Sequence, residues 1–168
     1  MKKFFFTALL LGLLVVAGCS DSAVEYNDLL VTTSKQCDDA ISQILGNDSE
    51  LNGDGFPSAL QTCNNALDTL KNAWWYEEDT DLQTSMIQYV TTEVEYLKDL
   101  QKIYPFLQKQ DLSDATEDEL AEYSNLVDKI GQYESRMDTE FEAVEKAQKD
   151  FSEKYSFNLA EDPQQEVK

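Results

Sequence analysis

The sequence predicts an all-α protein, an antiparallel up-and-down four-helix bundle with a long C-terminal helix. Three observations carry that expectation. Apolar residues recur at alternating steps of four and three along four stretches, capping and turn residues fall between those stretches, and no stretch shows the two-residue alternation of a strand. Each apolar stripe can leave water only against the others, and short connections make successive helices antiparallel with a left-handed packing tendency.

The first helix opens at Ser22-Ala23-Val24-Glu25, which has the form of a capping box. It carries Leu30, Thr33, Cys37, Ala40 and Ile44 on one face, with Leu29, Ile41 and Leu45 beside them. Gly46-Asn47 stops it, and a polar loop runs to Gly55 before Pro57 supplies a favourable first helical position. The second stripe is Leu60, Cys63, Leu67, Leu70 and Trp74, widened by Ala59, Ala66 and Ala73, and it fades at Glu77-Glu78-Asp79. A third helix runs from about Thr80 with Leu82, Met86, Val90, Val94, Leu97 and Leu100 near one face. Pro105 has no amide hydrogen and restricts Tyr104, so this helix kinks or ends there.

Thr116-Glu117-Asp118-Glu119 is a second capping box. The register Leu120, Tyr123, Val127, Ile130, Glu134, Met137, Phe141, Val144, Gln148, Phe151, Tyr155 then repeats in the heptads of a coiled coil. At roughly 40 residues and about 60 Å this helix outruns the others. The pattern is lost near Asn158, and Glu161, Asp162, Pro163 and the glutamines read as a disordered tail over residues 158–168.

Composition narrows the function. The chain of 168 residues has 33 acidic and 13 basic residues, a formal charge of −20, and no histidine. Arg136 is its single arginine and no basic patch occurs, which argues against nucleic acid and anionic head groups as partners. Lack of histidine removes the usual base of nucleophilic triads and the commonest transition-metal ligand, including the Glu-x-x-His ligands of di-iron bundles. No cofactor is expected, and a non-enzymatic protein is.

The first nineteen residues carry the most specific signal. Lys2 and Lys3 precede an apolar run from Phe4 to Ala17 that ends in Val16-Ala17-Gly18-Cys19. The run is shorter than the roughly 20 residues a spanning helix needs, and the small residues before the cysteine suit a peptidase cleft. These four residues resemble the bacterial lipobox. The resemblance implies a signal peptide over residues 1–18, a diacylated Cys19 whose freed amine usually takes a further chain such as palmitate, and residues 19–22 as a lipidated tether. The bundle then occupies residues 23–157. Removal of Lys2 and Lys3 leaves 33 acidic against 11 basic residues, a formal charge of −22. Several acyl chains hold a protein firmly, at about 0.8 kcal/mol per buried methylene. Ser20 after the cysteine resembles lipoproteins sorted to the outer membrane of diderm bacteria, with the periplasmic or surface face left open. Glu25-Tyr26-Asn27-Asp28 and the helical pattern are similar, in a generic way, to small all-helical bacterial surface lipoproteins of unassigned function.

Four constellations are candidates for function. Cys37 and Cys63 lie on facing stripes at similar distances from a turn near Glu50, so in an exported chain they are expected to form a disulfide, with two buried thiols as the alternative. Asp48, Glu50, Asn52 and Asp54 alternate as the first half of an EF-hand loop does. Gly55 stands where a β-branched residue is expected and Ala59 where the bidentate glutamate would be, so a solvated turn is the expectation and Asp48, Glu50, Asn52 and Asp54 are weak metal candidates. Glu93 and Glu134 fall at similar heights near two stripes and could pair, although a glutamate at such positions ordinarily swings to the edge and stays solvated. Trp74, Trp75, Tyr76, Phe151, Tyr155 and Phe157 gather at the end nearest Cys19, either as a surface for a partner or bilayer or as the end of the core. The favoured function is a membrane-anchored envelope lipoprotein acting as a non-catalytic binding or structural module for an unidentified envelope protein or ligand. The alternatives are a low-affinity divalent-cation or small-ligand binder using the acidic surface, and an enzyme of unknown type.

Overall fold

A computed structural model of the chain describes residues 21–46, 53–74, 81–109 and 112–159. The described residues form four helices and no strand: α1 (Asp21–Leu45), α2 (Phe56–Asn72), α3 (Asp81–Leu107) and α4 (Glu117–Lys154), with one 3-10 turn, Gly53–Gly55, leading into α2. They build the all-α bundle with a long last helix. α3 packs against each of the other three, and α1 pairs with α2.

Local signals account for most boundaries. Gly46 ends α1 in the left-handed region, φ 63°, where a side chain would be strained. Pro57 occupies the first turn of α2. Gly53 approaches the ring of Tyr104 so closely that a Cβ there would collide with it, and Tyr104 in turn meets Phe56 edge-on at 5.7 Å. This cluster joins the start of α2 to the end of α3. Thr116 caps α4 reciprocally: its hydroxyl accepts from the Glu119 amide at 3.2 Å, and the Glu119 carboxylate accepts from the Thr116 amide at 2.8 Å. Three acidic residues in that first turn complement the helix dipole, and the hydrogen bond from the Thr116 backbone holds the Glu119 carboxyl below its usual range.

The expected inward faces of α1 and α3 are buried as read, from Leu30, Cys37, Ile41 and Ile44 on one to Leu82, Met86, Val90 and Leu97 on the other. Several details differ. Ser22 lies inside α1, because the helix already begins at Asp21, so it is not an N-cap. α3 runs two residues past Pro105: near a C-terminus the missing amide breaks only one bond, and Gln108 still donates to Tyr104 O at 3.1 Å. α2 stops at Asn72 and Ala73 turns extended, so Trp74 leaves the stripe on which it was expected and is 77 % exposed. In α4 Leu126 replaces Val127 as the inward residue, while Leu120 and Val127 face water, as does Leu29 in α1. The expected tail from residue 158 falls largely outside the described residues.

The Cys37–Cys63 disulfide is present, with Cα atoms 4.5 Å apart, and it ties the middle of α1 to α2. Both residues are fully buried. The bond closes a loop with a sequence separation of 26. Replacing both cysteines with Ala is expected to lower unfolding free energy by about 3.5 kcal/mol through the loop released in the unfolded chain. Urea unfolding of the double variant beside the oxidised wild type measures that difference, and non-reducing peptide mapping checks the pairing.

Candidate functional site

One end of the bundle is formed by the start of α1, the end of α2, the start of α3 and the end of α4. Here Gln83 is the junction: its amide nitrogen donates to Leu70 O at 2.7 Å and Ala73 O at 2.9 Å, and its oxygen accepts from the Tyr26 hydroxyl at 2.9 Å. Tyr26 stacks obliquely on Phe151 at 5.8 Å, and Phe151 contacts Tyr155 at 4.6 Å and Phe157 at 6.0 Å. One turn further in, the Gln148 amide donates to the Asn27 side-chain oxygen at 3.1 Å, a buried polar bridge from α4 to α1. A bond of this kind fixes register, because a slip of either helix would strand two buried amides.

The aromatic residues assigned to this end therefore divide. Phe151 is buried and belongs to the core, and Tyr155 and Phe157 are half-buried against it, so these three do not form a free surface. Phe151 turns inward because the end of α4 lies over Tyr26 instead of projecting beyond its neighbours. Trp74 alone among the described members of the group is highly exposed. Trp75 and Tyr76 lie outside the described residues, as does Cys19.

Midway along the bundle lies a second constellation, and it corrects the sequence reading. Glu93 is wholly buried, where a solvated side chain was expected. Its neighbour is Asp38 of α1, within hydrogen-bonding reach, and not Glu134. The Tyr89 hydroxyl, one turn earlier on α3, donates to Asp38 at 2.9 Å, and the Tyr89 ring lies 6.0 Å from Phe141 of α4. Neither Glu93 oxygen accepts a hydrogen bond from any described donor. Burial, then the Asp38 charge and a hydrogen bond to it, push the Glu93 carboxyl well above the usual carboxylate range. Burial also raises Asp38, against the hydrogen bonds from Glu93 and Tyr89 and the more distant Lys35. Tyr89 is driven up by burial and by Glu93 and Asp38, so its hydroxyl stays protonated and remains a donor.

Glu134 is half-buried on α4, raised by burial and by Asp138, and faces Tyr96, whose hydroxyl is pushed up to about 12 by burial and by Glu134. The expected Glu93–Glu134 pair thus splits onto different partners. Asp38 and Tyr89 were missed, yet a signal existed: Met86, Tyr89 and Glu93 share one helical face, and Asp38 adjoins the buried Cys37.

Further along, Asp99 is held differently. Burial raises its carboxyl, but Lys102 at 2.5 Å, Lys129 at 3.7 Å and the Tyr133 hydroxyl at 3.2 Å outweigh that and leave it below the ordinary range. Arg136 bridges Glu95 on α3 and Glu140 on its own helix. These contacts clamp α4 to α3. Of the four weak metal candidates, Asp54 is exposed in the 3-10 turn, and Asp48, Glu50 and Asn52 fall outside the described residues. Among the described residues no three metal-ligating side chains converge. A shallow groove of about 420 Å³ between α1 and α2 is lined by Gln36, Asp39, Gln43, Ser58 and Thr62.

No protein-family model matches the chain, and neither curated proteins nor solved structures give a significant match.

The division of the aromatic end has a direct check. Phe151→Ala should lower stability by about 3–5 kcal/mol, whereas Trp74→Ala should stay within roughly 0.5 kcal/mol of wild type. Chemical denaturation of the two variants separates the core member from the exposed one.

Proposed function

We propose that this protein is a lipid-anchored component of the bacterial cell envelope, working as a non-catalytic binding or structural module. The observation that carries this reading is Val16-Ala17-Gly18-Cys19 behind a short apolar run, with helix α1 beginning only two residues after the cysteine. Two extended residues reach about 7 Å. An acylated Cys19 would therefore hold the bundle close against the bilayer, with the start of α1, the end of α2, the start of α3 and the end of α4 facing it. Trp74 sits at that end, and tryptophan suits a membrane–water interface. No helix among the described residues is long and apolar enough to cross a membrane, so in this reading attachment rests on the lipid.

The non-catalytic part rests on chemistry. The central carboxyls are sealed in the bundle, where Glu93 has no access to a substrate, and Asp99 is tied up by two lysines. The strong negative charge disfavours anionic head groups and nucleic acid as contacts. Ser20 supports the outer membrane as the destination.

Metabolic labelling with a fatty acid, followed by fractionation, tests the anchor. Wild type should carry label and partition with membranes, and Cys19→Ser should carry none and lose membrane retention. Label persisting on the Cys19→Ser chain would refute the lipoprotein reading.

A further inference from the structure

Glu93 poses a problem that no other residue of the described core poses. It is 0 % exposed, it sits at the middle of α3, and both its oxygens lack a donor. An ionised carboxylate in that position would be desolvated without compensation, facing a second acid. The surrounding groups offer no remedy. From α1 it meets Asp38, whose own neighbours are Asp39 and Lys35; on α3 it meets Tyr89; from α4 Asp138 acts on Tyr89; and α2 contributes no titratable group that acts on it. Lys35 is turned to Asp39, with which it pairs at 2.5 Å.

A proton resolves this. As a carboxylic acid Glu93 has a hydrogen to donate, and Asp38, within reach, is an acceptor. Asp38 then accepts from both Glu93 and the Tyr89 hydroxyl, and the cluster holds one negative charge in place of two. The bond crosses from α3 to α1 near the disulfide that fastens α1 to α2. We propose that Glu93 and Asp38 share a single proton that locks α1 onto α3, and that loss of this proton in alkaline medium loosens the seam between these helices. The device is sensitive to the acidity of the surroundings, and it stands independently of the lipid anchor.

The direction of the pH dependence follows from linkage. The Glu93 carboxyl is raised in the folded protein, by burial first and by Asp38 second, so above the ordinary range near 4.5 the native chain keeps a proton that the unfolded chain has released. The stabilisation is complete below that range and is lost as pH climbs through the folded value. The overall negative charge weakens the fold in the same direction, so the wild-type curve alone cannot isolate the lock.

Glu93→Gln isolates it, because the amide can donate to Asp38 and does not ionise. Thermal midpoints of both proteins measured from about pH 9 to about pH 4 should differ most in alkali, with the variant higher, and converge as the pH falls below the ordinary carboxyl range. In alkali, amide hydrogen exchange across the facing parts of α1 and α3 should be faster in wild type than in the variant. Curves that run parallel at every pH would overturn the proposal. Should Glu93→Gln fail to fold, the side-chain carboxyl carbon of Glu93, followed by NMR in wild type and Asp38→Asn, decides. Protonated Glu93 at neutral pH in wild type, with titration shifted toward the ordinary range in Asp38→Asn, supports the shared proton. Glu93 ionised at neutral pH, or an unchanged titration in the variant, contradicts it.

Discussion

The structure depends on the burial of α3. This helix packs against α1, α2 and α4, and its buried residues run almost without a break from Tyr89 through Leu100, including Thr92, Glu93 and Asp99. A helix enclosed on so many sides must hide residues that a two-sided amphipathic helix would leave in water. Most of its polar members survive burial because they have specific partners. Thr92 returns its hydroxyl to Gln88 O, Tyr89 donates to Asp38, and Asp99 meets two lysines and a tyrosine. The other helices are held in place by what these residues require.

This enclosure also explains what the sequence revealed. Apolar stripes announce burial by transfer free energy alone, so Leu30, Cys37 and Ile44, or Leu82, Val90 and Leu97, could be read without knowing their partners. The disulfide followed from two such stripes and a turn. Glu93 could not be read this way. Its burial becomes tolerable only when Asp38 and Tyr89 arrive from 55 and four residues away, and no local pattern encodes that meeting. Trp74 failed for a different reason: the stripe arithmetic assumes a continuing helix, while α2 ends at Asn72, where an asparagine two residues before the tryptophan was the available warning.

The first half of α4 shows a third kind of miss. A strict seven-residue repeat stays on one face only if two helices coil around each other, because a straight helix drifts by about 20° per heptad. From Met137 onward the expected seven-residue register holds, with Met137, Val144 and Phe151 buried at heptad spacing and Gln148 buried between them, whereas in the first half Leu126 turns inward in place of Val127. The first half of α4 meets the core through Leu126, with Tyr123 and Ile130 partly buried beside it, and meets α3 through Phe106–Tyr123 packing and the Asp99 and Glu95 ion pairs, while most of its remaining side chains face water. With a single buried apolar residue, this half of α4 is expected to be held less firmly than the half that packs Met137, Val144 and Phe151.

The organisation around α3 is tested most directly by native-state hydrogen exchange resolved by residue. The expected result is the slowest exchange in α3 between Tyr89 and Leu100, with comparable protection in the parts of α1 and α2 joined by the disulfide, and markedly faster exchange in α4 from Glu117 to about Arg136 than from Met137 to Phe151. Uniform protection along α4, or an α3 that exchanges faster than the helices around it, would contradict it.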